Sequence, residues 1–163
     1  MNLRPLSLIA GLLLLAACAQ NPSTNASAGG GGGAATTAPG SASVAPGSSQ
    51  DFVQNVGDRV FFDFDKSAIK PEGRTTLQRQ AEWLKKYPNV SVTVEGHCDE
   101  RGTREYNLAL GERRATAVRN ALVALGISPN RIKTISYGKE RPAVLGSNEA
   151  AWAQNRRGVT VIN

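Results

Sequence analysis

Charge stops abruptly at residue 50, and that break decides which part of this chain can fold. Every one of the 19 Lys/Arg and 13 Asp/Glu except Arg4 lies from Asp51 onward. From Ala19 to Ser49 the chain is mostly Gly, Ala, Ser, Thr and Pro, with five consecutive glycines at Gly29 to Gly33. A stretch with no hydrophobic periodicity cannot bury enough apolar surface to offset its ordering entropy, so it is expected to be a disordered tether. As a Gly-rich coil of about 30 residues it would span about 30 Å on average and about 100 Å when pulled straight. The sequence thus divides into residues 1–17, 18–50 and 51–163, and the last of these is the expected folded domain, with room for a modest two-layer core.

The first of those segments reads as an export signal. Arg4 precedes the apolar run Leu6 to Ala17, which is too short for a permanent bilayer crossing. It ends in Leu15-Ala16-Ala17-Cys18, which resembles the lipobox of bacterial lipoproteins. That resemblance implies cleavage before Cys18 and acylation (palmitate among the chains) of Cys18. Several acyl chains, at about 0.8 kcal/mol per buried methylene, anchor a small domain firmly. Ala19 follows, and not the aspartate that resembles an inner-membrane retention signal, so the expected location is the outer membrane with the folded part in the periplasm. With Cys18 acylated, Cys98 has no intramolecular partner and no disulfide framework is expected.

Within residues 51–163 the patterning gives alternating elements. Arg59 to Asp65 alternates as a strand, with Val60, Phe62 and Phe64 on one face and Phe61, Asp63 and Asp65 on the other. Pro71 opens a helix whose Leu77, Ala81 and Leu84 recur at helical spacing until Tyr87-Pro88. Val90 to Glu95 alternates again, ending at Gly96. Leu110, Ala117, Val118, Ala121 and Leu125 make one stripe of a second helix, closed by Gly126. Arg131 to Tyr137 reads as a strand, Asn148 to Arg156 as a short helix and Val159 to Ile162 as a last strand. The order β-α-β-α-β-α-β predicts an α/β (α+β) two-layer sandwich, helices packed on one side of a small mixed sheet.

One residue breaks the pattern. At 100° per residue from Leu110, Arg114 falls at about 40°, between Ala121 near 20° and Leu125 near 60°. Arg113 and Glu112 fall on the flanks and are expected at the surface. A guanidinium facing the core needs an acidic partner, exposure at the helix start, or a ligand. The loop Gly96-His97-Cys98-Asp99-Glu100-Arg101-Gly102 ends a strand beside that helix, and Asp99 is its best-placed acid. Asp99 and Arg114 can form a plain salt bridge, or can hold a zwitterion between them, the guanidinium forking onto its carboxylate and the aspartate accepting from its ammonium.

The run Thr93 to Thr103, then Tyr106-Asn107, then Leu110-Gly111-Glu112-Arg113-Arg114-Ala115 resembles the signature of the OmpA-like peptidoglycan-binding domain family. Phe62-Asp63-Phe64-Asp65, Ser136 to Pro142 and Asn155-Arg156-Arg157 are similar to the lipoprotein branch of that family in particular. The resemblance covers about residues 59 to 163. It implies a ligand, the meso-diaminopimelate of the peptidoglycan stem peptide, with Asp99 taking its ammonium and Arg114 its carboxylate. Asn107 would support the loop, Asp63, Phe64 and Asp65 would wall the groove, and backbone amides from Gly96 to Arg101 would add donors. Gly96, His97, Arg101 and Leu110 complete the expected site. Cys98 departs from the Ala or Thr found there in the family. The same resemblance implies TolB and the Tol-Pal system as partners, and a role in outer-membrane invagination during cell division. The alternative is an envelope or secretion-system anchor outside that system.

Two other function classes fit poorly. His97 and Cys98 suggest a Cys/His hydrolase, yet consecutive strand residues point to opposite faces and cannot readily share a proton. One His and one Cys without a second cluster fall short of a metal shell. No enzyme activity and no cofactor are therefore expected. The pI of 9.7 and the pairs Arg113-Arg114 and Arg156-Arg157 suggest nucleic acid. An exported, lipid-anchored chain does not meet it, and the positive charge is better suited to steering toward an anionic wall.

Overall fold

The computed structural model describes residues 44–163; the expected signal segment 1–17, the lipidation residue Cys18 and the expected tether as far as residue 43 lie outside the described residues. The chain enters through α1, Ser49–Asp51, which runs on as a π-helical turn, Phe52–Val56. Ser48 Oγ caps it by accepting from Asp51 N at 3.1 Å. Phe52 is fully buried, edge-on to Trp83 with ring centroids 4.9 Å apart, and Trp83 Nε1 donates to Asp51 at 2.9 Å. Two apolar residues four apart are too few to register as a periodic pattern, which is why this segment was not anticipated.

The remaining order is β1 (Arg59–Phe61), α2 (Pro71–Lys86), β2 (Val92–His97), α3 (Arg104–Ala124), a 3-10 turn (Pro129–Arg131), β3 (Ile132–Gly138), α4 (Glu149–Asn155) and β4 (Arg157–Ile162). In the sheet the order is β1-β4-β2-β3, with β4 antiparallel to both β1 and β2, and β3 parallel to β2. The core lies between one sheet face, carrying Val60, Val92, Val94 and Ile132, and the helices, which supply Leu77, Ala81, Leu84, Ala115, Val118 and Leu122. The expected two-layer α/β sandwich over a small mixed sheet is the observed fold.

Three local readings need correction. The first strand ends at Phe61 and does not reach Asp65. Val60 and Phe62 are buried as expected, but Phe64 is 56% exposed. The chain turns here, Lys66 N bonding Asp63 O at 3.2 Å, and Asp65 sits at φ 55°, a left-handed conformation that aspartate tolerates better than most residues. The second strand is displaced toward Gly96 and His97, which remain in the ladder. Gly96 is there because α3 crosses the strand at this point: a Cβ on Gly96 would collide with the Gly111 carbonyl, and one on Gly111 with Ser136 Oγ. The seam of α3 is Leu110, Arg114, Val118 and Leu122, while Ala117, Ala121 and Leu125 are only partly buried. Arg114 is therefore nearer the centre of the buried face than the sequence stripe suggested. Arg113 and Glu112 are exposed, as expected.

Candidate functional site

A groove of about 170 Å³ opens where the end of β2, the β1–α2 turn and the first half of α3 converge. The helix start is fixed by Thr103, whose Oγ accepts from Tyr106 N at 3.2 Å, after a turn that Gly102 makes at φ 89°. Because two glycines let α3 lie directly on β2, its third turn carries Arg114 under the β2 loop. The groove is lined by Phe64, Asp65, Cys98, Asp99, Arg101, Gly102, Tyr106, Asn107, Leu110 and Arg114.

Arg114 is 1% exposed, and the salt bridge with Asp99 does not form. Nε donates to Lys66 O at 2.9 Å, Nη1 to His97 O at 2.8 Å and Nη2 to Asp63 O at 3.1 Å. Burial pulls its pKa below that of a free guanidinium, partly countered by Cys98 and Asp99 nearby. A guanidinium has five N–H donors, so one hydrogen on each terminal nitrogen is left after these three bonds. The cation thus reaches the floor of the groove tied to neutral carbonyls, with no carboxylate of its own among the described residues.

Asp99 is 4% exposed and is crowded with donors. Its Oδ1 accepts from Arg101 N at 3.2 Å and Arg101 Nε at 3.1 Å; its Oδ2 accepts from Arg101 Nη2 at 2.6 Å and Arg156 Nη1 at 3.4 Å. Burial alone would raise the carboxyl pKa, but the Arg101 and Arg156 bonds outweigh it and hold it below the usual carboxylate value. Asn107 is buried and donates to Arg101 O at 2.8 Å and Thr103 O at 3.0 Å, tying the loop to the helix.

Other expected site residues stand elsewhere. Gly96 and His97 lie behind the groove and not on its wall: Gly96 makes the helix contact, and His97 contributes its carbonyl to Arg114 while its ring stacks on Tyr137 at 5.5 Å. Strand alternation turns the imidazole to the sheet's other face. Asp63 likewise contributes its carbonyl; its side chain is exposed and lies 3.5 Å from Lys70. The expected amide donors are already in use at Cys98, which bonds Gly138 O at 2.8 Å, and at Arg101. Phe64, Asp65 and Leu110 do line the groove.

Several contributors were not assigned a role in advance. Arg156 is buried, bonds Phe62 O at 3.1 Å and Glu149 at 2.6 Å, and so fixes the far side of Asp99. A basic pair at the start of a strand reads as surface charge, and nothing local signals that both members are buried. Tyr106 OH donates to Asp65, bridging α3 to the β1–α2 turn. Cys98 is buried at the groove, its Sγ donating to Asn107 O at 3.3 Å, and burial pushes its pKa up. It faces away from His97, so the two do not form a nucleophile–base pair.

The OmpA family model matches residues 61–156. The chain is 57% identical over 124 residues to the peptidoglycan-associated lipoprotein of Brucella melitensis biotype 1, covering 76% of this chain and 74% of that one. It is 50% identical over 155 residues to the peptidoglycan-associated lipoprotein of Mesorhizobium japonicum, covering 95% and 89%. The crystal structure of the peptidoglycan-associated lipoprotein from Burkholderia pseudomallei superposes with a TM-score of 0.64 at 46% identity, covering 65% of this chain and 90% of that one. The chain belongs to the OmpA family, within its peptidoglycan-associated lipoproteins.

Proposed function

We propose that this chain grips the peptidoglycan wall without covalent chemistry, by holding the amino-acid end of a stem-peptide diaminopimelate in the groove between Asp99 and Arg114. The observation that carries the reading is the buried Arg114 cation, which lines a groove shared with the buried Asp99 and has no carboxylate partner of its own among the described residues. A ligand carboxylate would complete it, and a ligand ammonium would lie against Asp99. Two opposite charges lining one groove disfavour a simple acid or amine and favour a zwitterion. The walls would be Phe64, Asp65, Tyr106 and Leu110, with Asn107 keeping the loop in place. The name of these relatives, peptidoglycan-associated lipoprotein, supports the same class of target.

Joined to acylation at Cys18 through the Gly-, Ala-, Ser- and Pro-rich segment that follows it, such a head would be a reversible tie between the outer membrane and the wall, facing the periplasm. Within the Tol-Pal system TolB would engage the same face and release the head, so that outer-membrane constriction follows the septum. Sedimentation with isolated murein sacculi tests the site: Asp99→Asn, which keeps the shape and removes the charge, is expected to leave the chain in the supernatant. Wild-type sedimentation by Asp99→Asn refutes the pocket. Co-purification with TolB separates this role from an envelope anchor outside that system.

A further inference from the structure

Asp99 has no vacancy for an incoming ammonium. A carboxylate offers about four lone-pair sites, and here four donors fill them, three from Arg101 and one from Arg156. The two arginines differ in how firmly they are held. Arg156 is buried and bonded to both Phe62 O and Glu149. The Arg101 side chain is 31% exposed, and apart from Asp99 it is held by two rings, its guanidinium carbon lying 4.0 Å from the centroids of both Phe64 and Trp152.

From this arrangement, and resting on the reading of the groove given above, we infer that Arg101 is a specificity-determining residue: its guanidinium occupies the seat of the ligand's ammonium and must be exchanged for it. An exchange of cation for cation keeps the buried carboxylate compensated throughout. A neutral group, such as an amine already capped by an amide bond, would have to displace Arg101 and leave Asp99 short of charge, which a buried carboxylate resists. Arg101 thus makes a free amine obligatory, and at the same time competes with it. When it leaves, it withdraws from the Trp152 ring, whose Nε1 is bonded to Glu100 at 3.0 Å next door, so the exchange carries its own optical signal.

The test titrates the full chain carrying Cys18→Ser, which removes the acylation residue, with uncrosslinked muropeptide bearing a free or an N-acetylated diaminopimelate amine. The wild type is expected to bind the free-amine form with a change in tryptophan emission and to bind the acetylated form far more weakly. Arg101→Gln should bind the free-amine form about threefold tighter, the scale of a part-exposed ion pair, with the emission change lost; Arg101→Lys, which keeps the charge without the fork, should fall between. Free-amine binding by Arg101→Gln that is equal to or weaker than wild type, or an unchanged emission signal, overturns the exchange while leaving the groove assignment standing. Absence of wild-type binding, or Asp99→Asn binding as well as wild type, removes the groove assignment and the exchange with it.

Discussion

Replacing Arg114 by alanine removes a side chain that is 1% exposed and donates to the carbonyls of Asp63, Lys66 and His97. Those carbonyls belong to the β1–α2 turn and the end of β2, so one guanidinium joins three elements. A buried polar group left without a partner costs about 1–3 kcal/mol. The low end applies here, since water can enter through the groove, and the three carbonyls together come to roughly 3 kcal/mol. Loss of the contact with Phe62, whose ring centroid lies 5.2 Å from the guanidinium carbon, adds about 1 kcal/mol. Release of the cation from its desolvated position works in the opposite direction. The net expectation is a destabilisation of roughly 3 kcal/mol, read as a urea midpoint lowered by about 2 M. Arg114→Lys should recover less than half of it, because a single ammonium cannot span three carbonyls on different sides. Unfolding followed by circular dichroism measures both. A loss below about 1 kcal/mol for Arg114→Ala refutes the view that this residue holds the site together, and leaves it only a ligand contact.

Gly96→Ala should destabilise by about 2 kcal/mol or more, since the new Cβ meets the Gly111 carbonyl and backbone must move; an unchanged melting temperature would contradict the direct β2–α3 contact. His97 supplies a pH dependence. Burial first, then Arg157, lower its pKa from 6.5 to about 4. The unfolded chain therefore takes up the proton before the folded one. The stability tied to the neutral ring is complete above pH 6.5 and is lost as pH falls from 6.5 through 4, by roughly 3 kcal/mol. His97→Phe should flatten the urea midpoint over that window, and a slope that persists would assign it to other groups.

The fold could be read from the chain because its elements alternate clearly: β strands of period two, α2 with Leu77, Ala81 and Leu84, and Gly126 closing α3 at φ 95°. Arg114 stood out for the same reason, as a charge in an apolar seam. Its partners did not, because they are backbone carbonyls, which every residue carries and no side-chain pattern marks. Of the two arrangements that the sequence left open for Asp99 and Arg114, the direct salt bridge does not form, because Asp99 is paired with Arg101 and Arg156. Arg101 was near in sequence and legible as a neighbour; Arg156, 57 residues away, could be placed only by the β4–β2 pairing. His97 was misplaced because the strand was ended at Gly96, where glycine marks a crossing of helix and strand and not a turn. The entry segment from Ser49 to Val56 was missed because Phe52 and Val56 alone make no period.

Calorimetric titration of the chain with meso-diaminopimelate addresses the central claim without the wall or any partner. The account predicts saturable binding at one site, abolished by Asp99→Asn and strongly weakened when the ligand carboxylates are amidated, since Arg114 then loses the charge it lacks within the fold. Heat of binding that is absent, or that is indifferent to amidation, would contradict it.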